Sequence, residues 1–182
     1  MNRLFVALKI PDNVIDDIIY HRNKAFPDYE KYRWEEFDKI HLTLKFLGEV
    51  KSELVSQIAD ELNFMENYEG MICQLTRFGF FYVGTQPKSL HIGLHSDTKI
   101  YELAQEVNTR LEKLSIPAER KRFIPHLTLK RMKGNEGTYF VNRFTSYYLP
   151  KINFEIYEAA LIESKLLANG SEYTTIKTYS LG

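Results

Sequence analysis

The pentapeptide His-Leu-Thr-Leu-Lys occurs twice in this chain of 182 residues, at positions 41–45 and 126–130. Each copy alternates polar with apolar residues, which is typical of a β-strand that covers a core with one face. Because successive side chains of a strand point to opposite faces, the first copy should place His41, Thr43 and Lys45 together on one face. The matching residues of the second copy are His126, Thr128 and Lys130. Five identical residues in equivalent settings predict one function shared by two strands.

The rest of the chain predicts strands and helices that mix without strict alternation, which indicates an α+β fold with antiparallel pairing. Further strands are predicted at residues 3–8, 71–78, 90–94, 151–162 and 173–179, the last after an Asn169-Gly170 turn, and helices near residues 14–22, 52–62 and 97–114. No linker or low-complexity tract divides the chain, so we expect a single domain over residues 1–182. Two related halves would place the histidine-bearing strands on either side of one cleft.

The charge balance limits the kind of partner. Lys plus Arg and Asp plus Glu number 24 each, and a neutral chain is poorly suited to wrapping long nucleic acid. Residues 119–133 are locally basic, however, and suit a short anionic substrate. The single cysteine, Cys73, excludes an internal disulfide. No stretch approaches the ~20 apolar residues of a membrane span, and nothing resembles a secretion signal, so we expect a cytoplasmic protein without a membrane partner.

Metal binding, nucleophilic catalysis and a purely structural role fit the repeated histidines less well. A zinc site takes three or four protein ligands, and neither copy supplies a third one on its polar face. A nucleophile is not indicated either, because Cys73 has no evident basic partner and no serine lies on a recognisable elbow. A structural role, as a half-buried polar group with its hydrogen bonds satisfied, suits His21, His91 and His95. A structural role does not account well for His41 and His126, which lie in identical settings.

General acid–base chemistry fits the histidine pair best. Histidine titrates near neutrality, so one ring can accept a proton while the other donates one. Cleavage of a phosphodiester needs these groups at opposite ends of a line through phosphorus, and two equivalent strands across a cleft supply that arrangement. Thr43 and Thr128 would then donate hydrogen bonds to the non-bridging oxygens. Lys45 and Lys130 would add positive charge at the rim.

These motifs resemble the two-histidine phosphoesterase superfamily, and within it the bacterial and archaeal 2′-5′ RNA ligase-like proteins, also called RNA 2′,3′-cyclic phosphodiesterases. The resemblance covers nearly the whole chain. It rests on the opening strand at residues 3–8, on Arg33-Trp34 with residues 41–50, on residues 125–131, and on Glu163-Ser164 near the end. The departures are Phe123-Ile124-Pro125, where an Arg-Pro pair is common, and a Tyr-rich insert after Gly137.

The resemblance implies a bilobed fold with two antiparallel sheets, flanking helices, a pseudo-two-fold axis and an active-site cleft between the sheets. It also implies metal-free hydrolysis of 2′,3′-cyclic phosphates at RNA ends or on nucleotides to 2′-phosphates, with no cofactor, and in some relatives a reversible 2′-5′ ligation. The residues carried over as catalytic are His41, Thr43, His126 and Thr128. Arg131 is carried over as phosphate-binding.

Three further residues are candidates for substrate binding: Lys130, Arg33 and Phe46. The parity of the strand places Phe46 opposite His41, so a bulge would be needed to bring it to a base. We expect a monomer. The alternative function is a non-catalytic module that binds RNA ends or nucleotides and uses the same histidines for phosphate.

Overall fold

The computed structural model describes residues 1–168 and 170–182 and confirms the α+β fold. The strands of the described residues are Asn2–Lys9 (β1), His41–Val50 (β2), Met71–Val83 (β3), Gln86–Ser96 (β4), His126–Arg131 (β5), Ile152–Ile156 (β6), Glu158–Leu167 (β7) and Gly170–Ser180 (β8). The helices are Asp12–Ala25 (α1), Val55–Glu61 (α2), Lys99–Glu112 (α3) and Gly137–Thr145 (α4). The predicted turn at residues 169–170 includes Asn169, which lies outside the described residues. None of the helices in the two described ranges is long and apolar enough to cross a membrane.

The strands form two antiparallel four-stranded sheets with the same plan. The first has the order β2-β1-β7-β8, and the second has the order β5-β4-β3-β6. In each sheet a strand, a helix and an edge strand follow one another in sequence, as β1-α1-β2 and as β4-α3-β5. The two copies of the pentapeptide therefore occupy equivalent edge strands, as the predicted pseudo-two-fold arrangement requires.

Residues 4–8 of strand β1 are all apolar and buried, because both faces of the strand are covered there. Leu4, Val6 and Leu8 enter the main core, which contains residues of both sheets. Phe5 and Ala7 point the other way, into a small apolar cluster that they form with Ala160 and Ile162 of β7. This second cluster lies on the face of the first sheet opposite the main core.

The predicted long strand at residues 151–162 is wrong, because the chain there changes sheets. β6 pairs with β3 in the second sheet, whereas β7 pairs with β1 in the first. Tyr157 lies between them and is exposed, while Ile156 before it and Ala159 after it are fully buried in the core. No glycine or proline interrupts residues 151–162, so the sequence pattern does not distinguish one long strand from two short strands in different sheets. Helix α4 was also not predicted, and it buries Phe140 and Phe144 within the Tyr-rich insert.

Candidate active site

The two histidine-bearing edge strands, β2 and β5, lie against each other. In both strands the leucine after the histidine is fully buried in the core, while the histidine and the threonine are half-buried on the opposite face. The alternation of the pentapeptide correctly predicts which side chains share a face. His41 and Thr43 lie on this polar face in one sheet, and His126 and Thr128 lie on it in the other. A positive charge on His126 is one of the causes that lower the pKa of His41.

Each copy of the pentapeptide contains a β-bulge at the same position. Val6 of β1 pairs with Lys45 and Ala7 pairs with Thr43, which leaves Leu44 as the extra residue of β2. In the second sheet Leu90 pairs with Lys130 and His91 pairs with Thr128, which leaves Leu129 as the extra residue of β5. An extra residue reverses the face of every side chain that follows it.

The prediction that Lys45 and Lys130 lie at the rim is wrong, because the bulges turn both side chains to the core. Both are buried: Lys45 is 3% exposed and Lys130 is 2% exposed. The Nζ atom of Lys45 donates hydrogen bonds to Oδ1 of Asn108 at 2.6 Å and to the carbonyl of Pro117 at 2.7 Å. The Nζ atom of Lys130 forms a salt bridge of 2.9 Å with Glu136, whose side chain is equally buried. Neither lysine lies at the rim. The phosphate-binding role of Lys130 stays a prediction, and its ammonium group is directed to Glu136.

The same bulges bring Phe46 and Arg131 to the histidine face. Phe46 is 63% exposed, and its ring centroid lies 5.9 Å from that of Phe5. The ring of Phe5 in turn stacks on His41 with centroids 4.9 Å apart. Arg131 is exposed, and its positive charge is one of the causes that lower the pKa of His41. The bulge needed to bring Phe46 round is therefore present, although its contact with a base stays a prediction.

The ring of His126 is held by hydrogen bonding and by packing. Its Nδ1 atom lies 2.8 Å from the carbonyl oxygen of Ile124, and because a carbonyl can only accept, Nδ1 carries the proton. The neutral ring then has its lone pair on Nε2, which suits a general base. The edge of the ring contacts Phe81, with centroids 4.7 Å apart.

The ring of His41 has a comparable setting in the other sheet. Its Nε2 atom lies 3.1 Å from Oγ1 of Thr43, so the repeated His-x-Thr spacing places the imidazole and the hydroxyl side by side. Tyr173 of β8 contacts the ring edge-on at 5.6 Å. Burial lowers the pKa of His41 to about 4, while the carbonyl of Lys39 acts to raise it. Burial also lowers the pKa of His126. Before substrate binds, both histidines are therefore neutral at pH 7.

A cavity of about 200 Å³, defined here as the near cavity, adjoins His41 through Tyr173. Four cationic side chains and two carboxylates line it, namely Arg33, Lys39, Arg131, Lys133, Glu35 and Glu36. The guanidinium of Arg33 also packs against Gly170, where an added Cβ would come within 2.8 Å of its Nη2 atom. The two predicted phosphate-binding arginines, Arg33 and Arg131, are thus brought together beside His41. Their roles stay predictions.

The family model of the 2′-5′ RNA ligase superfamily matches residues 17–166, which is most of the chain. The chain belongs to the 2′-5′ RNA ligase superfamily. An RNA 2′,3′-cyclic phosphodiesterase of Methanocaldococcus jannaschii is 29% identical over 185 residues, covering 97% of this chain and 99% of that protein. One of Aquifex aeolicus is 28% identical over 161 residues, covering 82% of each chain. The Escherichia coli LigT structure complexed with 3′-AMP has the same fold, with a TM-score of 0.78 at 24% identity, and the match covers 99% of this chain and 98% of that one.

The remaining histidines of this 2′-5′ RNA ligase superfamily member differ from one another. His21 has the partner expected of a structural histidine, since its Nδ1 lies 2.8 Å from the hydroxyl of Tyr147. His91 lacks the partner expected of a structural histidine, because its buried Nδ1 has no hydrogen-bond partner among the described residues. Its ring stacks on Phe81 at 4.1 Å and contacts His126 at 5.5 Å. His91 and Phe81 were not predicted as neighbours of the site, because only the register of β4 against β5 brings them there.

No cluster of three or more His, Cys, Asp or Glu side chains in residues 1–168 and 170–182 could hold a metal ion. The metal-free mechanism expected of this 2′-5′ RNA ligase superfamily member stays a prediction, which turnover in the presence of EDTA tests.

The lowered histidine pKa values predict a loss of stability in weak acid. Burial lowers the pKa of His41 and of His91 to about 4, well below the unfolded value near 6.5. Unfolding therefore takes up protons between about pH 6.5 and 4, and the free energy of unfolding falls as the pH falls through that window. One such histidine accounts for up to about 1.4 kcal/mol per pH unit.

Urea unfolding at pH 7.5, 6.5 and 5.5 measures this loss. His41→Gln is expected to flatten the dependence of the free energy of unfolding on pH, whereas His95→Gln, at an exposed position on β4, should leave it as in the wild type. Equal slopes for wild type and His41→Gln would contradict the assignment of this loss to the buried ring of His41.

Proposed function

We propose that this protein is an RNA 2′,3′-cyclic phosphodiesterase that opens a terminal cyclic phosphate to a 2′-phosphate. One observation carries the proposal: two equivalent edge strands place His41 with Thr43 and His126 with Thr128 on one face of adjoining sheets. A single acid–base group can activate water or protonate a leaving oxygen, but an in-line displacement is helped by one group at each end. The duplicated strand supplies both.

In the proposed reaction His126 acts as the base. Its Nε2 takes a proton from water while the water oxygen bonds to phosphorus, and the bond from phosphorus to the ribose 3′ oxygen breaks. His41 gives its proton to that leaving oxygen, which leaves the phosphate on the 2′ oxygen. The hydroxyls of Thr43 and Thr128 and the guanidinium of Arg131 stabilise the negative charge that builds on the non-bridging oxygens.

An acid role requires a protonated His41, although its pKa is low in the free protein. The bound substrate resolves this conflict. Burial is the largest cause that lowers this pKa, the positive charge of Arg131 adds to it, and His126 adds to it when its ring is protonated. A bound phosphate diester brings a negative charge close to the ring, which favours the protonated form and opposes those positive charges. Bound substrate therefore raises the pKa of His41, whose ring takes up its proton from solvent, and the two histidines titrate as a coupled pair.

The relatives support the substrate class. The curated proteins of similar sequence from Methanocaldococcus jannaschii, Aquifex aeolicus and Escherichia coli are RNA 2′,3′-cyclic phosphodiesterases. Structures of Escherichia coli LigT hold 3′-AMP, ATP, NADP⁺ and phosphate in the same fold. RNA ends that carry a cyclic phosphate are accordingly the proposed partner. A reversible 2′-5′ ligation would use the same histidines in the opposite direction.

Turnover of a cyclic mononucleotide in the presence of EDTA tests the proposal. Because hydroxyls, an arginine and two histidines supply the charge stabilisation and the proton transfers, the rate is expected to stay within about twofold of the rate without chelator. A module that only binds RNA ends would show binding of the nucleotide without turnover. Loss of activity in EDTA, with recovery on adding one divalent ion, would contradict the metal-free mechanism.

A further inference from the structure

A second and larger cavity, of about 480 Å³, lies beyond the end of β5 and is defined here as the far cavity. Its walls come from the turn between β3 and β4 and from the segment that leads into α4, and include Tyr82, Lys88, Met132 and Lys133. The backbone N–H of Met132 donates a hydrogen bond of 2.9 Å to the carbonyl of Lys88, which ties the two walls together. The far cavity therefore begins one residue after Arg131. Its volume is within the ~300–1,000 Å³ typical of sites for organic ligands.

The far cavity and the near cavity are neighbours. Lys133 lines both of them, and the near cavity also contains Arg131 and Tyr173. Tyr173 contacts the ring of His41. The linings of the two cavities thus connect Tyr173, the neighbour of His41, through Arg131 and Lys133 to the end of the β3–β4 hairpin.

The far cavity has the chemistry of a site for a nucleic-acid strand. Lys88 and Lys133 are exposed and provide positive charge, and the ring of Tyr82 is 51% exposed and available for stacking on a base. The one carboxylate of its described lining, Glu136, is directed elsewhere. It forms the buried salt bridge with Lys130 and accepts hydrogen bonds from the backbone N–H groups of Lys133 and Gly134. The lining therefore presents positive charge, with an aromatic face beside it.

The near cavity is less strongly positive, because Lys39 and Arg131 have carboxylate partners. Lys39 forms a salt bridge of 2.7 Å with Glu36, and Nε of Arg131 lies 3.7 Å from Glu35. Arg131 is nonetheless 76% exposed along its side chain, so it keeps access to a ligand.

We propose that the far cavity binds single-stranded RNA, namely the nucleotides on the 5′ side of the terminal nucleotide. The inference rests on the proposed function: when a 3′-terminal cyclic phosphate lies between the histidines, the strand can continue only in the 5′ direction. The path past Arg131 offers that continuation positive charge for its phosphates and Tyr82 for a base. A cyclic mononucleotide does not reach the far cavity, so its binding does not depend on the residues there.

The test compares two substrates that differ only in the strand. One is a cyclic mononucleotide, and the other is a hexanucleotide that ends in the same nucleotide with a 2′,3′-cyclic phosphate. Lys88→Ala, which removes an exposed lysine that lines the far cavity and not the near cavity, is expected to lower kcat/KM for the hexanucleotide by about fivefold while changing that for the mononucleotide less than twofold. The slope of log kcat/KM against log salt concentration for the hexanucleotide should become shallower by about 0.7, the contribution of one contact with a single-strand phosphate.

The matched control is Lys51→Ala, which removes an exposed lysine that lines neither cavity. It should change neither substrate. Tyr82→Ala provides a second variant, and it should raise KM for the hexanucleotide without altering the salt dependence.

Three outcomes would overturn the inference: equal losses on both substrates, no loss on either, or the same loss in the control. The proposed function is tested separately by the wild-type rate on the mononucleotide. If the wild type turns over neither substrate, the proposed function fails, and the binding of a fluorescent hexanucleotide by the wild type and by Lys88→Ala still tests the far cavity. Equal Kd values for the two proteins would then overturn the inference.

Discussion

Replacing either His41 or His126 with Ala is expected to lower the turnover of a 2′,3′-cyclic phosphate by a factor of ~100 or more. That is the usual contribution of a positioned acid or base, and each histidine has a separate proton to move. Both variants should remain folded at pH 7.5, because the rings lie on the face opposite the main core. Initial rates with a cyclic mononucleotide, together with urea unfolding of each variant, provide the measurement.

His95→Ala is the matched control, since it removes an exposed histidine of β4 and should keep the wild-type rate. A His41→Ala or His126→Ala protein that is folded and retains a near-wild-type rate would show that the two histidines do not act as the acid–base pair.

Breaking the buried salt bridge between Lys130 and Glu136 is expected to have the largest effect on stability. Both side chains are at most 2% exposed, so Glu136→Gln leaves an ammonium group buried without its counter-charge. Burial acts to raise the pKa of Glu136, but hydrogen bonds from the backbone of Lys133 and from Lys130 hold it below its usual value. Removing one member of such a pair costs about 3–5 kcal/mol in the free energy of unfolding. Urea unfolding at pH 7.5 measures it.

Two variants serve as controls for this prediction. Glu106→Gln removes a partly exposed partner of Arg110 and should cost no more than about 1 kcal/mol. The double variant Lys130→Met, Glu136→Gln removes both charges and should recover much of the lost stability. If Glu136→Gln costs no more than Glu106→Gln, the buried ion pair does not have the structural role assigned to it.

The histidines and threonines of the site could be predicted from the sequence because they precede the bulges. Up to Thr43 and Thr128 each strand keeps a strict alternation, so the face of every residue follows from its position. One residue later the alternation shifts, and the sequence contains no signal of it, because Leu44 and Leu129 are as apolar as an ordinary core position requires. The pattern therefore predicts the wrong face for the lysines that follow.

The reason that a lysine can be buried in these strands lies far away in the chain. Lys45 is satisfied by Asn108 and Pro117, and Lys130 by Glu136 beyond the end of its own strand. A strand pattern describes only neighbours within the strand, so it cannot reveal such partners. The contacts of His91 with Phe81 and His126 are of the same kind, since they depend on how β4 pairs with β3 and β5.

Phosphorus NMR of the product formed from a cyclic mononucleotide tests the proposed mechanism most directly. With His126 as base, His41 as acid and the 3′ oxygen leaving, we expect a nucleoside 2′-phosphate as the dominant product of the wild-type protein. The same spectrum recorded for the His126→Ala variant should show the cyclic phosphate still intact after the time in which the wild type consumes it. A dominant 3′-phosphate, or a cyclic phosphate that the wild type leaves unchanged, would contradict the mechanism.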